Sequence, residues 1–163
     1  MAYDAFLKLD GIQGESQKKN HTNEIDIMSF SWGAANSTSV GTGTGPSTGK
    51  VSVSDFSIMK STDSSSPILF QKCCDGSVIT TGQVTLQKSA GTGGPIEYLV
   101  FKFTNVYVTS VQWSGSGGMG DTPSESVSFV FETGTVDYKP QADTGSGTGT
   151  VHGGWDIGQN TSA

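Results

Sequence analysis

The sequence predicts a mainly β fold: a compact β-barrel of antiparallel strands with one short helix and long loops rich in Gly, Ser and Thr. Three observations predict it. Apolar residues recur with a period of two in several segments, and that period sends alternate side chains to opposite faces of a strand. Breaks rich in small residues separate these segments, and the 23 glycines of the 163 residues supply the backbone angles that turns need. Only one segment carries both a helix start and a helix stop. Strands of even spacing with a single helix suit a sandwich or a barrel, and closure is favoured because it removes edges that aggregate. At this length residues 1–163 read as one domain.

Residues 3–9 open as a strand with Tyr3, Ala5, Leu7 and Leu9 on one face. Residues 11–14 turn the chain. Residues 24–32 form the second strand, extending towards Asn36, and both of its parities are apolar in a chain that is only 33% hydrophobic. Ile25 and Ile27 share a face with Ser29 and Ser31, while Met28, Phe30 and Trp32 point the other way. Either a β-bulge near Ile27 shifts the parity, or a partner subunit covers the second face. Residues 38–49 hold four glycines and a proline and read as a long exposed loop, of a length that is usually functional.

Strand pattern resumes over 51–62. Ser66 as N-cap, Pro67 in the first turn and Gly76 after the last then predict a helix over 67–75. Residues 83–88 and 96–111 are strands joined across 91–95, and 114–123 is another glycine-rich loop. Ser124–Tyr138 is a long strand in which Val127, Phe129 and Phe131 alternate with Ser126 and Ser128. Residues 139–154 read as a loose tail before a late apolar anchor at 155–157.

Charge narrows the partners. The net charge is −6 and every one of the nine basic residues is lysine, so nucleic acid and other polyanions are poor ligands. No apolar run reaches the roughly 20 residues of a membrane span, so no membrane insertion is expected, and the start lacks the basic and apolar regions of a general secretory signal. Cys73 and Cys74 are adjacent, match no zinc spacing, and read as small apolar residues in a protein built for a reducing compartment.

Catalytic chemistry is sought and not found. Residues 115–120 satisfy GxGxxG, but a strand rather than a helix follows. Residues 44–51 approach a P-loop, yet Thr44 replaces the first glycine and Val51 the Ser or Thr after the lysine. His21 reads as a surface or turn residue and His152 as part of the glycine-rich tail, and neither has metal-ligand spacing. No cofactor, metal site or enzyme activity is expected. A β-sandwich module binding carbohydrate through Trp113 or Trp155 is the alternative function.

The order of motifs carries more than any one of them. Ala5-Phe6-Leu7-Lys8, Gly11 to Ser16, His21, Glu24 to Ile27 and Phe30-Ser31-Trp32-Gly33 are followed by Gly49-Lys50-Val51, Ser65-Ser66-Pro67 and Glu97-Tyr98-Leu99. Glu125-Ser126-Val127, Tyr138-Lys139-Pro140-Gln141 and Gly154-Trp155-Asp156-Ile157 complete the series. This series resembles, from end to end, the haemolysin-coregulated protein (Hcp) family of bacterial type VI secretion systems. The resemblance implies a barrel flanked by one helix, and subunits that form hexameric rings stacked into a tube. It further implies partners: a spike at the tube tip, a contractile sheath and baseplate, and effector proteins sheltered in the lumen. Assembly would be cytoplasmic, followed by export through the apparatus, with no attached toxin domain after Ala163. On this reading a neighbouring subunit covers the second strand, through Ile25, Ile27 and Trp32. Ser29 and Ser31 line the lumen, and the loop bearing Thr38, Gly41, Gly43, Gly45, Pro46, Gly49 and Lys50 reaches an adjacent ring.

Overall fold

The computed structural model describes residues 3–41, 43, 45, 48–89, 93–118, 122–140 and 149–163. The first strand, β1, is Asp4–Leu9; three short strands follow, β2 Ile25–Ile27, β3 Ser29–Ser31 and β4 Ala34–Asn36. Then come β5 Val51–Val53, β6 Phe56–Ser61 and helix α1 Ser66–Asp75. The long strands are β7 Ile79–Ser89, β8 Pro95–Ser114 and β9 Ser124–Tyr138, before β10 Val151–Asp156 and β11 Thr161–Ser162.

Antiparallel ladders run β2–β1–β7–β8–β9–β6–β3. Because β2 and β3 are parted only by Met28, the path ends where it began, joined there by the chain and not by a ladder. The far edge of β9 is shared: its 124–129 half takes β6, and its 133–138 half takes β10, which in turn pairs β11. Among the described residues, β4 and β5 pair only with each other and form a separate arm.

Met28 explains the two apolar parities of the second strand. Before it, Ile25 and Ile27 are 0% and 9% exposed; after it, Phe30 and Trp32 pack against the same core. Met28 itself is 65% exposed, and its amide donates to the Met59 carbonyl at 2.8 Å. One irregular residue shifts the period, so a single interior absorbs both faces. Ile25 and Ile27 are therefore core residues and not a ring-contact face, which corrects the expectation that a partner covers them.

The interior is aromatic. Phe56 stacks on Phe129 at 5.2 Å and Phe103 tilts against Phe131 at 4.5 Å, with Trp32 edge-on to Phe103. Each such ring, when fully buried, contributes about 1.5–3 kcal/mol through area alone.

Other boundaries differ for physical reasons. Residue 65, not Ser66, occupies the cap position of α1, and no side chain caps it. Ser66 is drawn instead into a buried polar cluster with Lys60 and Glu125. Gly76 ends the helix at φ 68° as expected. Cys73 is half-buried against the core, whereas Cys74 is exposed. Residues 151–156 are a strand and not loose tail, because β9 offers its free edge there. Pro46, Met119, Gly120 and the whole of 141–148 fall outside the described residues.

Candidate functional site

Strand pairing gathers serines that lie far apart in the chain. Ser31 is opposite Ser57, Ser57 opposite Ser128, and Ser128 opposite Ser110. One step along, Ser29 faces Met59, Met59 faces Ser126, and Ser126 faces Gln112. Alternate residues on these strands, such as Phe56, Ile58, Val127 and Phe129, fill the core, so the serines are thrown to the outer face. Ser29 and Ser31 are exposed; the Ser57 and Ser128 hydroxyls are 2.9 Å apart. The two rows hold no ionisable side chain, so the face is a field of small neutral donors and acceptors. The sequence exposed Ser29 and Ser31, and the Ser126/Ser128 alternation was visible too. What it could not show was which strands lie side by side, and so Ser57 and Ser110 were missed.

A second feature is the groove between the β4–β5 arm and the wall of β9 and β10. It encloses about 670 Å³ and is lined by Trp32, Val51, Val53, Phe131, Trp155 and Ile157, among others. The arm's base is locked where Ser54 exchanges hydrogen bonds with Gly33, and the Trp32 indole donates to the Ser54 carbonyl at 3.1 Å. Trp32 thus joins core and groove, and it keeps some exposure. Of the loop residues, Thr38 and Gly41 are exposed, as are Gly43 and Gly45, whose φ angles are 139° and 80°. Gly49 is wedged against Ser37, leaving no room for a Cβ, and Lys50 lines the groove.

The histidines depart from expectation. His21 is buried, 3% exposed, between the carboxylates of Glu24 and Glu97. His152 is not in a loose tail: its Nδ1 lies 2.6 Å from Asp137 across the β9–β10 ladder, and Nε2 lies 3.0 Å from the Ala163 carbonyl. These bonds, Asp137's first, hold its imidazole above the usual histidine range. Glu24 is engaged with His21, and Asp26 is exposed on β2, so they make no acid–base pair. Among the described residues no group of three His, Cys, Asp or Glu side chains could hold a metal, and no helix is long and apolar enough to cross a membrane.

These features define a class: an antiparallel β protein with one short helix. A family model described as "Type VI secretion system effector, Hcp" matches residues 6–138, and the chain belongs to that family. It is 40% identical over 164 residues to Protein hcp1 of Pseudomonas aeruginosa, with all of both chains covered. Its fold is similar to that of a solved type six secretion system protein, with TM-score 0.91 and 32% identity over 99% of this chain and 100% of that one. It is similar also to Hcp1 from Salmonella typhimurium, with TM-score 0.77 and 32% identity over the full length of both. The resemblance read from the motifs and the mainly β fold with one short helix are borne out. The family is one of structural secretion-system proteins and not of enzymes.

Proposed function

We propose that this chain is the repeating subunit of a type VI inner tube. Copies close into hexameric rings, rings stack, and contraction of a surrounding sheath expels the tube with a spike at its tip. Assembly is cytoplasmic, on a baseplate, and the tube then leaves through the apparatus with effectors held in its lumen. The observation that carries this reading, beside family membership, is the neutral serine face around Ser31, Ser57 and Ser128. A passage lined by short hydroxyls can hold a protein cargo by many weak hydrogen bonds and still let it go.

Contacts between copies must work without arginine, since the chain has none. They fall to lysine, hydrogen bonds and apolar packing, with Trp32 at the lip of the groove as a contact residue. The 38–49 loop, exposed at Thr38, Gly41, Gly43 and Gly45 and tethered at Gly49, reaches an adjacent ring. Electron microscopy of the purified protein tests the reading: rings with an axial hole are expected. Solitary molecules at every concentration would overturn it.

A further inference from the structure

Residues 14–24 fold back on themselves through short backbone bonds, with the Gly14 amide donating to Asn23, Asn23 to Ser16 and Ser16 to Glu24. This compact strap lies against the outer side of β1. The His21 ring stacks on Phe6 with centroids 4.3 Å apart and planes within 6°, and Phe6 is 1% exposed beneath it. Thr85, which pairs with Phe6 on β7, is likewise 1% exposed. Beyond β1, the strap reaches the sheet at β8 through the same His21 ring. His21 Nδ1 stands 2.7 Å from Glu24 Oε2 within the strap, and Nε2 stands 3.0 Å from Glu97 Oε1 on β8. Nε2 is shut off from solvent and has no aligned hydrogen-bond acceptor, and the Glu97 carboxylate is the anionic group beside it.

A neutral imidazole carries one N–H and one lone pair. Donating to Glu24, it would turn a lone pair on the Glu97 carboxylate and repel it. Only the imidazolium is attracted to both sides. Of the other charges on this side, Lys18 of the strap pairs with Asp4 of β1 at 3.7 Å and Lys88 of β7 lies over the Tyr98 ring at 4.8 Å, while Asp26 of β2, opposite Phe6, and Lys8 of β1 are exposed to solvent. Glu24 and Glu97 are the charged groups that meet the ring.

We propose that residues 14–24 are a pH-gated strap, clamped to β8 while His21 is protonated on both nitrogens and released from Glu97 when the ring becomes neutral. Release bares the Phe6 ring, so the flank of β1 gains apolar surface as pH rises. The device lies outside the serine face and the groove, and it holds or fails whether or not the chain forms tubes.

The test is local hydrogen exchange on the whole protein between about pH 5 and pH 8, the span in which histidine changes charge. After correction for intrinsic rates, protection of the Gly14, Ser16 and Asn23 amides falls about tenfold or more relative to the centre of β8. Nitrogen chemical shifts of His21 report both nitrogens protonated at the acid end. Glu97→Gln keeps an acceptor but loses the charge, and moves the midpoint to lower pH. Protection that does not change with pH, a neutral ring at the acid end, or an unmoved midpoint in Glu97→Gln would each overturn the proposal. The nitrogen measurement needs no variant, so misfolding of the substituted protein cannot shelter it.

Discussion

Lys60 and Glu125 face each other across the β6–β9 ladder as a fully enclosed ion pair, each 0% exposed. They point inward with Ile58 and Val127, so here the core turns from apolar to charged. The cluster is closed by α1: the Ser66 hydroxyl donates to Glu125 at 2.8 Å and accepts from Lys60 at 3.1 Å. Asp63 takes a further Lys60 proton at 2.9 Å. Lys60→Met leaves a buried carboxylate without its cation and should cost about 3–5 kcal/mol, read by urea unfolding. Adding Glu125→Leu should restore a large share, because a matched apolar pair avoids the desolvation that the ions suffer. A loss below about 1 kcal/mol in Lys60→Met would show that the pair does not hold α1 to the sheet.

Gly134 and Gly153 predict opposite responses to the same methyl group. A Cβ on Gly134 would stand 2.6 Å from Phe131 Cε2, and Phe131 is itself backed by Phe103. The ring has nowhere to go, so Gly134→Ala should destabilise by about 1–3 kcal/mol. Gly153 meets nothing within 4 Å, and Gly153→Ala should lie within about 0.5 kcal/mol of the parent. Thermal melts of the two variants side by side provide the check; equal effects would refute the packing argument.

His152 makes the last strands pH-sensitive. Its bonds to Asp137 and the Ala163 carbonyl favour the charged ring, so its folded-state value lies above the ordinary one, about 6.5. A raised value means that the stabilisation is complete below about pH 6.5 and is lost as pH rises through the folded-state value. Exchange at residues 151–163 should therefore quicken on the alkaline side, and His152→Gln should flatten that dependence. A His152 titration midpoint at or below the ordinary value would contradict it.

How far the sequence could be read depends on whether a feature is local. Ser124–Tyr138 emerges with the bounds expected for it, because the alternation of Ser126 and Ser128 with Val127, Phe129 and Phe131 leaves no competing period. Gly76 ends α1 as its position implies, since a left-handed φ is a property of one residue. Met28 was harder: a single irregular residue reverses the facing of everything after it, and nothing in Ile-Met-Ser marks the break. Of the two explanations for an apolar second strand, the irregular residue is the physical one, since Ile25, Ile27, Phe30 and Trp32 share one core. His21 and β10 were misplaced for one reason. Burial of His21 needs Glu97, 76 residues away, and β10 needs the free edge of β9; neither is visible from neighbours in the chain.

The serine face makes the last prediction, and it separates cargo from assembly. Ser31 is exposed at the end of a row that runs through Ser57 and Ser128 to Ser110, and its neighbours Phe30 and Trp32 anchor the strand from the opposite face. Enlarging Ser31 should therefore leave the core untouched. If the row faces the lumen, Ser31→Trp narrows the passage and removes a hydroxyl from it. Effector retained on the purified assembly should fall about tenfold, on the order of 1.4 kcal/mol, while rings still form under the microscope. Trimming residues 38–49 should do the reverse, weakening the stacking of rings with effector binding and circular dichroism preserved. The contrast is the informative part, since a variant that merely unfolds would lose both properties. Retention unchanged in Ser31→Trp would place the cargo on some other surface.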